Sequence, residues 1–327
     1  MGITVDMAVV IEQLLVLFLV MGIGYVAMKG KAITENFASG LSDFVLNITL
    51  PCLILAAALS TDTELSIRET LQIFGLNLLI YVAGTLVGWI TMRLLKVPRK
   101  DRGLGIFMMT FANVGFMGFP VIQAIFGADG LFYAVISNIV FNVMSFTLGL
   151  YLVRQSSETD EDPAVKTGSQ QSLKERFGWL LRPGVVASLL ALVLYFINPT
   201  VPTVILQTLD LIGDTTTPLA MLIIGMSLAR ISFREVFTDW RLYPFMLVKQ
   251  IVLPLLMLLV FSLFTDNQLL IGVLTVLAGM PVATNSVLFA ESFNANLPLA
   301  TKTTFITTLA TLVTIPALVW FLGNFLA

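Results

Sequence analysis

The sequence contains no histidine and a single cysteine, Cys52. It therefore has no Ser-His-Asp triad, no Cys-His pair, no His-ligated metal and no internal disulfide. Charged residues are also scarce, at 12% of the 327 residues, whereas 57% are hydrophobic. Soluble proteins have about 25% charged residues, so this composition indicates an integral membrane protein and favours transport over catalysis. The net charge of −2 offers no basic surface for nucleic acid.

Ten apolar stretches are long enough to cross a bilayer as helices, which takes about 20 residues each. We number them spans 1 to 10, over residues 8–28, 38–60, 71–92, 104–127, 131–153, 183–198, 204–229, 242–264, 268–290 and 299–325. Span 1 is not predicted to be a signal peptide, because Asp6 and Glu12 precede its apolar run and a basic start is missing. The sequence therefore predicts an all-α polytopic membrane protein.

Lysine and arginine are distributed asymmetrically along the chain. All 18 except Arg68 and Lys249 fall at the loops after odd-numbered spans. Because basic loops stay on the cytoplasmic side, both termini are predicted to lie outside the cell membrane. Residues 155–182 are rich in Ser, Asp, Glu and Gln, and we interpret them as a cytoplasmic linker between two five-span units, 1–154 and 183–327.

The two units are related by an internal repeat. At one constant shift, the polar series of span 2 aligns with that of span 7, and span 4 aligns with span 9. The matched pairs are Asn47 with Asp214, Thr49 with Thr216, Pro51 with Pro218 and Gly105 with Gly272. Because each unit has five spans, the second enters the membrane from the opposite side, and the repeat is inverted. Inverted repeats are typical of secondary transporters with a site between the repeats; chance similarity between apolar helices is the alternative.

Spans 4 and 9 contain proline, glycine and asparagine in mid-span, which predicts that both unwind near the bilayer centre. Unwound halves point helix N-termini, each with about half a positive charge, into a cavity. Asparagine amides can also donate to a carboxylate. We therefore predict an anion site formed by Asn113, Gly115, Pro120, Pro281, Thr284 and Asn285. The plainer alternative is that the prolines only kink helices and the asparagines only join them.

Polar residues of spans 2, 7 and 8 are predicted to serve ion coupling. Asp214 is a carboxylate within a span, and it can bind a proton or a sodium ion. Asn47 and Thr216 belong to the same aligned series. Lys249, the sole cation inside a span, either extends to the cytoplasmic interface or acts as a counter-charge for Asp214 or the substrate. Apart from a coupling ion, no cofactor and no metal site is predicted.

Three strings in these spans resemble the auxin efflux carrier family, which includes plant PIN carriers and bacterial malate or malonate permeases. They are ANVGFMGFPVIQAIFG in span 4, IGDTTTPLAMLIIGMSLA in span 7 and GMPVATNSVLFAESFNAN in span 9. The resemblance covers the whole chain. It implies ten transmembrane helices in two inverted five-helix repeats, similar to sodium/proton antiporters and bile-acid symporters. It further implies that spans 4 and 9 cross at Pro120 and Pro281, that Asn113 contacts a substrate carboxylate, and that spans 1, 2, 6 and 7 form a scaffold that often dimerises.

The predicted function is secondary-active transport of small organic anions, such as malate, malonate or auxin-like carboxylates. Spans 3, 4, 5, 8, 9 and 10 would move against the scaffold in an elevator type of alternating access. A sodium-coupled symporter of larger amphipathic anions is a second transport hypothesis. Hypotheses from other classes are a non-transporting sensor or scaffold and an aspartyl membrane enzyme, for which the sequence shows no paired-carboxylate motif.

Overall fold

A computed structural model of the chain describes residues 7–60, 66–156, 183–197, 199, 201–229 and 239–325. Apart from its first two residues, the predicted linker 155–182 lies outside these ranges, as does the basic loop after span 7 up to residue 238. Within the described ranges all regular structure is helical. The prediction of an all-α protein is confirmed for this part of the chain.

The helices follow the predicted spans closely. The first unit contains α1 Met7–Lys29, α2 Glu35–Phe44, α3 Leu50–Ser60, α4 Ile67–Leu94, α5 Arg99–Thr110, α6 Phe119–Met144 and α7 Leu150–Arg154. The second contains α8 Pro183–Ile197, α9 Thr203–Gly213, α10 Thr216–Ala229, α11 Leu242–Leu247, α12 Leu253–Phe261, α13 Gln268–Ala278, α14 Asn285–Ser292 and α15 Leu297–Phe325. Short π-helical turns join several of them, at Val45–Thr49, Val114–Gly118, Ser145–Gly149 and Val248–Val252.

Polar caps set the start of several of these helices. At α4, the Ser66 hydroxyl accepts from the Glu69 N–H at 3.2 Å, and the Glu69 carboxylate accepts from the Ser66 N–H at 2.7 Å. The Asn267 side chain caps α13, and that of Asn296 caps α15. Such caps satisfy N–H groups that have no partner within the helix. The apolar runs therefore begin as helices at defined residues.

Six described helical stretches are long and apolar enough to cross a membrane: Asn36–Ser60, Ile67–Leu94, Val114–Arg154, Thr203–Ala229, Leu242–Phe261 and Leu297–Phe325. Shorter apolar helices lie at Leu15–Lys29, Pro183–Ile197 and Gln268–Ala278. The Val114–Arg154 stretch is not straight, because Gly127 interrupts α6 with φ 68° and ψ −159°. Glycine tolerates this conformation at little cost, and the sharp kink falls between predicted spans 4 and 5. The chain is thus a polytopic helical membrane protein.

The helices pack in two groups. In the first group, α1 lies along α10, and α3 packs against α8 and α9. In the second, α4 packs on α5, α6 on α13, α12 on α13, and α14 on α15. The first group corresponds to spans 1, 2, 6 and 7 and the second to the remaining six. Contacts between the groups run mainly through α6, which touches α1, α3, α8 and α10.

The contact between α1 and α10 depends on glycine. A Cβ at Gly225 would overlap the carbonyl oxygen of Met21, and a Cβ at Gly24 would overlap that of Leu222. Each helix thus presents a glycine to the backbone of the other. Small residues allow this kind of close approach between membrane helices.

We expect Gly225→Ala to destabilise the protein by about 2–3 kcal/mol, the upper part of the usual cost of overpacking, because the obstructing atoms are backbone. The measurement is the thermal unfolding midpoint of the detergent-solubilised protein. Gly22→Ala is the matched control, because no heavy atom lies within 4 Å of its added Cβ. Equal midpoints for the two variants would contradict the close packing.

Candidate functional site

Two interrupted helices meet in the interior of the second packing group. The chain leaves helical geometry after α5 and after α13, and the two extended segments form an antiparallel bridge between Ala112 and Val282. Two backbone hydrogen bonds join them: the Asn113 N–H donates to the Pro281 carbonyl at 2.8 Å, and the Ala283 N–H donates to the Phe111 carbonyl at 3.1 Å. We call this pair of segments, residues 111–113 and 281–283, the crossing. Pro281 is buried within it.

The crossing satisfies backbone groups that the helix breaks expose. Within a bilayer, non-helical backbone is tolerated only where it is buried in protein or lines a wet cavity. The Val282 N–H has a side-chain acceptor, the hydroxyl of Thr307 on α15, at 3.2 Å. The Val114 N–H donates to the Ala112 carbonyl at 2.9 Å. These bonds hold both breaks in one defined geometry.

Asn113 provides an unused amide at the crossing. Its side chain is 5% exposed, and no hydrogen bond joins it to any residue that the structure describes. Gly115, in the π-helical turn that follows, faces open space, since no heavy atom lies within 4 Å of where its Cβ would be. The N–H groups of this first turn lack helical acceptors. The amide and the turn thus offer hydrogen-bond donors beside open space.

Thr284 and Asn285 follow the other segment of the crossing. Both are half-buried, and Asn285 begins α14. The next residue, Ser286, pairs its hydroxyl with that of Thr304 at 3.1 Å. The structure therefore places Asn113, Pro281, Thr284 and Asn285 at or beside the crossing.

A cavity of about 580 Å³ lies between α1, α6 and α10. We call it the Asp214 cavity; its polar lining consists of Glu12, Gln123, Asp214 and Thr217, with Pro120 beside them. The Thr217 hydroxyl donates to the Gln123 side-chain oxygen at 3.1 Å, which joins α10 to α6. Among the described residues the lining holds two carboxylates and no basic residue, so its charge favours cations. Pro120 and Asp214, predicted for separate roles, are brought together here.

The other predicted coupling residues do not line the Asp214 cavity. Asn47 is exposed on the Val45–Thr49 turn, and the buried Thr216 hydroxyl has no hydrogen-bond partner among the described residues. Lys249 is 0% exposed, so it does not extend to the surface. Its Nζ donates to the Ala278 carbonyl at 3.5 Å. Lys249 therefore lies at the C-terminal end of α13, where a cation compensates the negative end of the helix dipole.

Sequence reasoning missed the polar residues behind the crossing and in the cavity. Gln250, also buried, donates its side-chain N–H to the Thr307 carbonyl at 2.8 Å. The signal that could have found Thr307 is the spacing of Thr303, Thr307 and Thr311, which places three hydroxyls on one face of α15. Glu12 and Gln123 carried no such signal, because each lies near the end of an apolar run and neither belongs to a repeated polar spacing.

A helical membrane protein in which two broken helices cross, with free amide donors and a cavity nearby, has the architecture of a membrane transporter. The family described as membrane transport protein matches residues 9–319, and the chain belongs to this family, the auxin efflux carrier family. The resemblance is therefore confirmed over nearly the whole chain.

Relatives from bacteria and archaea match at similar levels. The chain is 26% identical over 311 residues to "Uncharacterized transporter YfdV" of Escherichia coli K12, covering 94% of this chain and 95% of that protein. It is 27% identical over 320 residues to "Uncharacterized transporter MJ1031" of Methanocaldococcus jannaschii, covering 95% and 98%.

Proposed function

We propose that this transporter carries small organic anions, such as malate, malonate or auxin-like carboxylates, across the cell membrane by elevator-type alternating access. The observation that carries the proposal is the crossing, where the side chain of Asn113, a residue 5% exposed, has no protein partner in the described part of the chain. Its amide donors are therefore available to a ligand, and a substrate carboxylate would supply the acceptor. Both chain termini would lie outside the cell.

The surroundings of the crossing favour an anion through helix N-termini and a lysine rather than through an arginine. The π-helical turn after Asn113 and the start of α14 place helix N-termini beside it, and such termini bind anions through N–H groups and the helix dipole. Lys249 adds a buried positive charge at the end of α13. Thr284 and Asn285 would contact the second end of a dicarboxylate.

Matched interruptions support the proposal of ten spans in two inverted repeats. The shift that places Pro51 on Pro218 also places the Val45–Thr49 turn on the break between α9 and α10. It places the Val114–Gly118 turn on the break between α13 and α14. The Ser145–Gly149 turn falls on the part of α15 that contains Pro316. Chance identity between apolar helices gives no reason for interruptions at matched positions.

The two packing groups support the elevator movement. The first group would be the scaffold and the second the moving unit, with the crossing carried inside the moving unit. The Asp214 cavity lies at the boundary, because α1 and α10 belong to the first group and α6 to the second. We also propose that two copies of the chain form a homodimer through the scaffold. Helices α8 and α9 have exposed apolar residues that could form this interface, among them Ile197, Val204 and Leu211.

The experiment that tests the function is uptake into proteoliposomes containing the purified chain. Radiolabelled malate, malonate and indole-3-acetate would be supplied with an imposed proton gradient, sodium gradient or neither. Uptake of at least one small carboxylate above protein-free liposomes supports the proposal. Absence of flux for every carboxylate under every gradient would favour the sensor or scaffold hypothesis.

One observation favours the second transport hypothesis. A cavity of about 580 Å³ lies within the range of about 300–1,000 Å³ found for drug-sized ligands. Its volume suits a ligand larger than malate, whereas the charge of Glu12 and Asp214 suits the coupling sodium ion and not the anion itself. Sodium-dependent uptake of a bile acid, with no uptake of malate or malonate, would establish this alternative instead.

We expect Asp214→Asn to remove the dependence of uptake on the coupling gradient, because the amide neither takes up a proton nor offers a charge to sodium. The measurement is the ratio of uptake with and without the gradient, which should fall towards one. Asp266→Asn is the control, since Asp266 is exposed on the loop before α13 and does not line the cavity. An unchanged ratio in Asp214→Asn would exclude Asp214 from coupling.

A further inference from the structure

A second cavity, of about 220 Å³, lies at the opposite end of α5 from the crossing. Its walls come from the end of α4, the start of α5, the residues before α11 and the start of α15. We call it the Arg241 cavity. It shares no lining residue with the Asp214 cavity or the crossing. All of its walls belong to the second packing group, so it does not lie on the boundary between the groups.

Four ionisable side chains line this cavity: Asp101, Asp239, Arg241 and Lys302. The two carboxylates already have donors. Asp101 accepts from the Asn296 side-chain amide at 3.1 Å, and Asp239 accepts from the backbone N–H of Arg241 at 3.1 Å. The acceptor groups of the cavity are therefore partly occupied by the protein itself.

The side chains of the two cations, unlike the two carboxylates, have no partner among the described residues. The Nε of Arg241 is buried and has no hydrogen-bond partner. In the described part of the chain, neither Arg241 nor Lys302 makes an ion pair or a side-chain hydrogen bond. A guanidinium has five N–H donors and an ammonium has three. The cavity therefore holds unused donors that carry positive charge, beside two carboxylates that each already accept one hydrogen bond.

We propose that the Arg241 cavity binds a small oxyanion, a carboxylate or a phosphate, at a second site separate from the transported substrate. The anion would lie between Arg241 and Lys302 and accept from both. Charge-assisted bonds of this kind are stronger than neutral ones, and guanidinium matches carboxylate and phosphate in a bidentate manner. Phe245 and the other apolar walls would exclude water and limit the size of the ligand.

Occupancy would have a structural consequence. Lys302 belongs to the first turns of α15, whereas Arg241 precedes α11, so one anion would join these two helices at the start of α5. Because α5 leads directly into the crossing, the bound anion would stiffen one support of the transport site. This makes the Arg241 cavity a site for regulation by a small metabolite of oxyanion type.

The test is thermal unfolding of the purified chain in detergent, titrated with inorganic phosphate or with acetate at an ionic strength held constant with sodium chloride. We expect one of the two probes to raise the unfolding midpoint of the wild type. Arg241→Gln and Lys302→Gln should each weaken the apparent affinity at least tenfold. The phosphate and acetate arms identify which oxyanion the site prefers.

Asn113→Ala is the control that separates this site from the proposed transport site, and it should retain the probe affinity of the wild type. The proposal is overturned if neither probe binds, if both charge variants bind like the wild type, or if Asn113→Ala alone abolishes binding. Lys302→Gln keeps the proposal testable if Arg241→Gln fails to fold. The Lys302 side chain is half-buried and makes no hydrogen bond or ion pair in the described residues. Uptake into proteoliposomes is measured separately, so loss of transport and loss of this site remain distinguishable.

Discussion

Replacing Asn113 by alanine is expected to lower carboxylate uptake into proteoliposomes about 10-fold to 100-fold, since a hydrogen bond to a charged group is worth about 1.5–3 kcal/mol and about 1.4 kcal/mol is tenfold. The loss should be seen in initial rates at substrate concentrations well below saturation. The reason is geometric. The backbone of Asn113 is held by its bond to Pro281, so its side chain starts from a fixed position at the crossing.

The matched control is Asn324→Ala. Asn324 is exposed in the last turn of α15, where its side-chain N–H donates to the Trp320 carbonyl, and it lies far along the helix from Thr307. Its alanine variant should transport like the wild type. Protein insertion and size-exclusion profiles should be equal for both variants. Wild-type rates in a correctly inserted Asn113→Ala protein would exclude Asn113 from the substrate site.

Cross-linking positions 123 and 217 is expected to stop transport almost completely and reversibly. Thr217 on α10 and Gln123 on α6 are hydrogen-bonded across the boundary between the two packing groups. An elevator movement must break this contact in every cycle. In a Cys52→Ala background, the Gln123→Cys and Thr217→Cys pair would be joined by a short bifunctional methanethiosulfonate reagent. Cleavage of the link with reductant should restore uptake.

A residue pair within the second packing group, the proposed moving unit, is the control for effects of the cross-linking reaction itself. Tyr133 on α6 and Asn267 before α13 are also hydrogen-bonded through their side chains, at 3.1 Å, but both belong to the second packing group. Cross-linking Tyr133→Cys to Asn267→Cys should leave uptake close to that of the unlinked double variant. If the 123–217 link forms quantitatively and uptake continues, the two groups do not move against each other there.

Hydropathy and proline placement predicted much of the architecture. The ten apolar stretches coincide with described helices because a bilayer requires long apolar segments with internally satisfied backbones. The breaks in spans 4 and 9 were predictable because proline and glycine disfavour continuous helix, and the structure has both breaks within a few residues of Asn113 and Pro281. These features depend on local chemistry alone.

The grouping of polar residues was less predictable, because it depends on which helices lie side by side. Asn47, Asp214 and Thr216 belong to one aligned series, yet of these three only Asp214 lines the Asp214 cavity, where its neighbours include Glu12 and Gln123. Lys249 could have extended to the interface, but the packing of α13 against it buries the side chain beside Ala278. A hydropathy profile does not show which neighbouring helix a side chain faces.

The sequence by itself determined that this chain is a helical membrane protein of the auxin efflux carrier family, and it predicted helix breaks in spans 4 and 9. Composition and charge asymmetry are sufficient for these conclusions because they reflect the lipid bilayer that surrounds the chain. Motif spacing is sufficient because it reflects where the backbone leaves helical geometry. Only the tertiary structure decided that the two breaks bond to each other, that Asp214 and Glu12 line one cavity, and that Arg241 and Lys302 line a second. Those arrangements arise from contacts between helices distant in sequence, which no local pattern encodes.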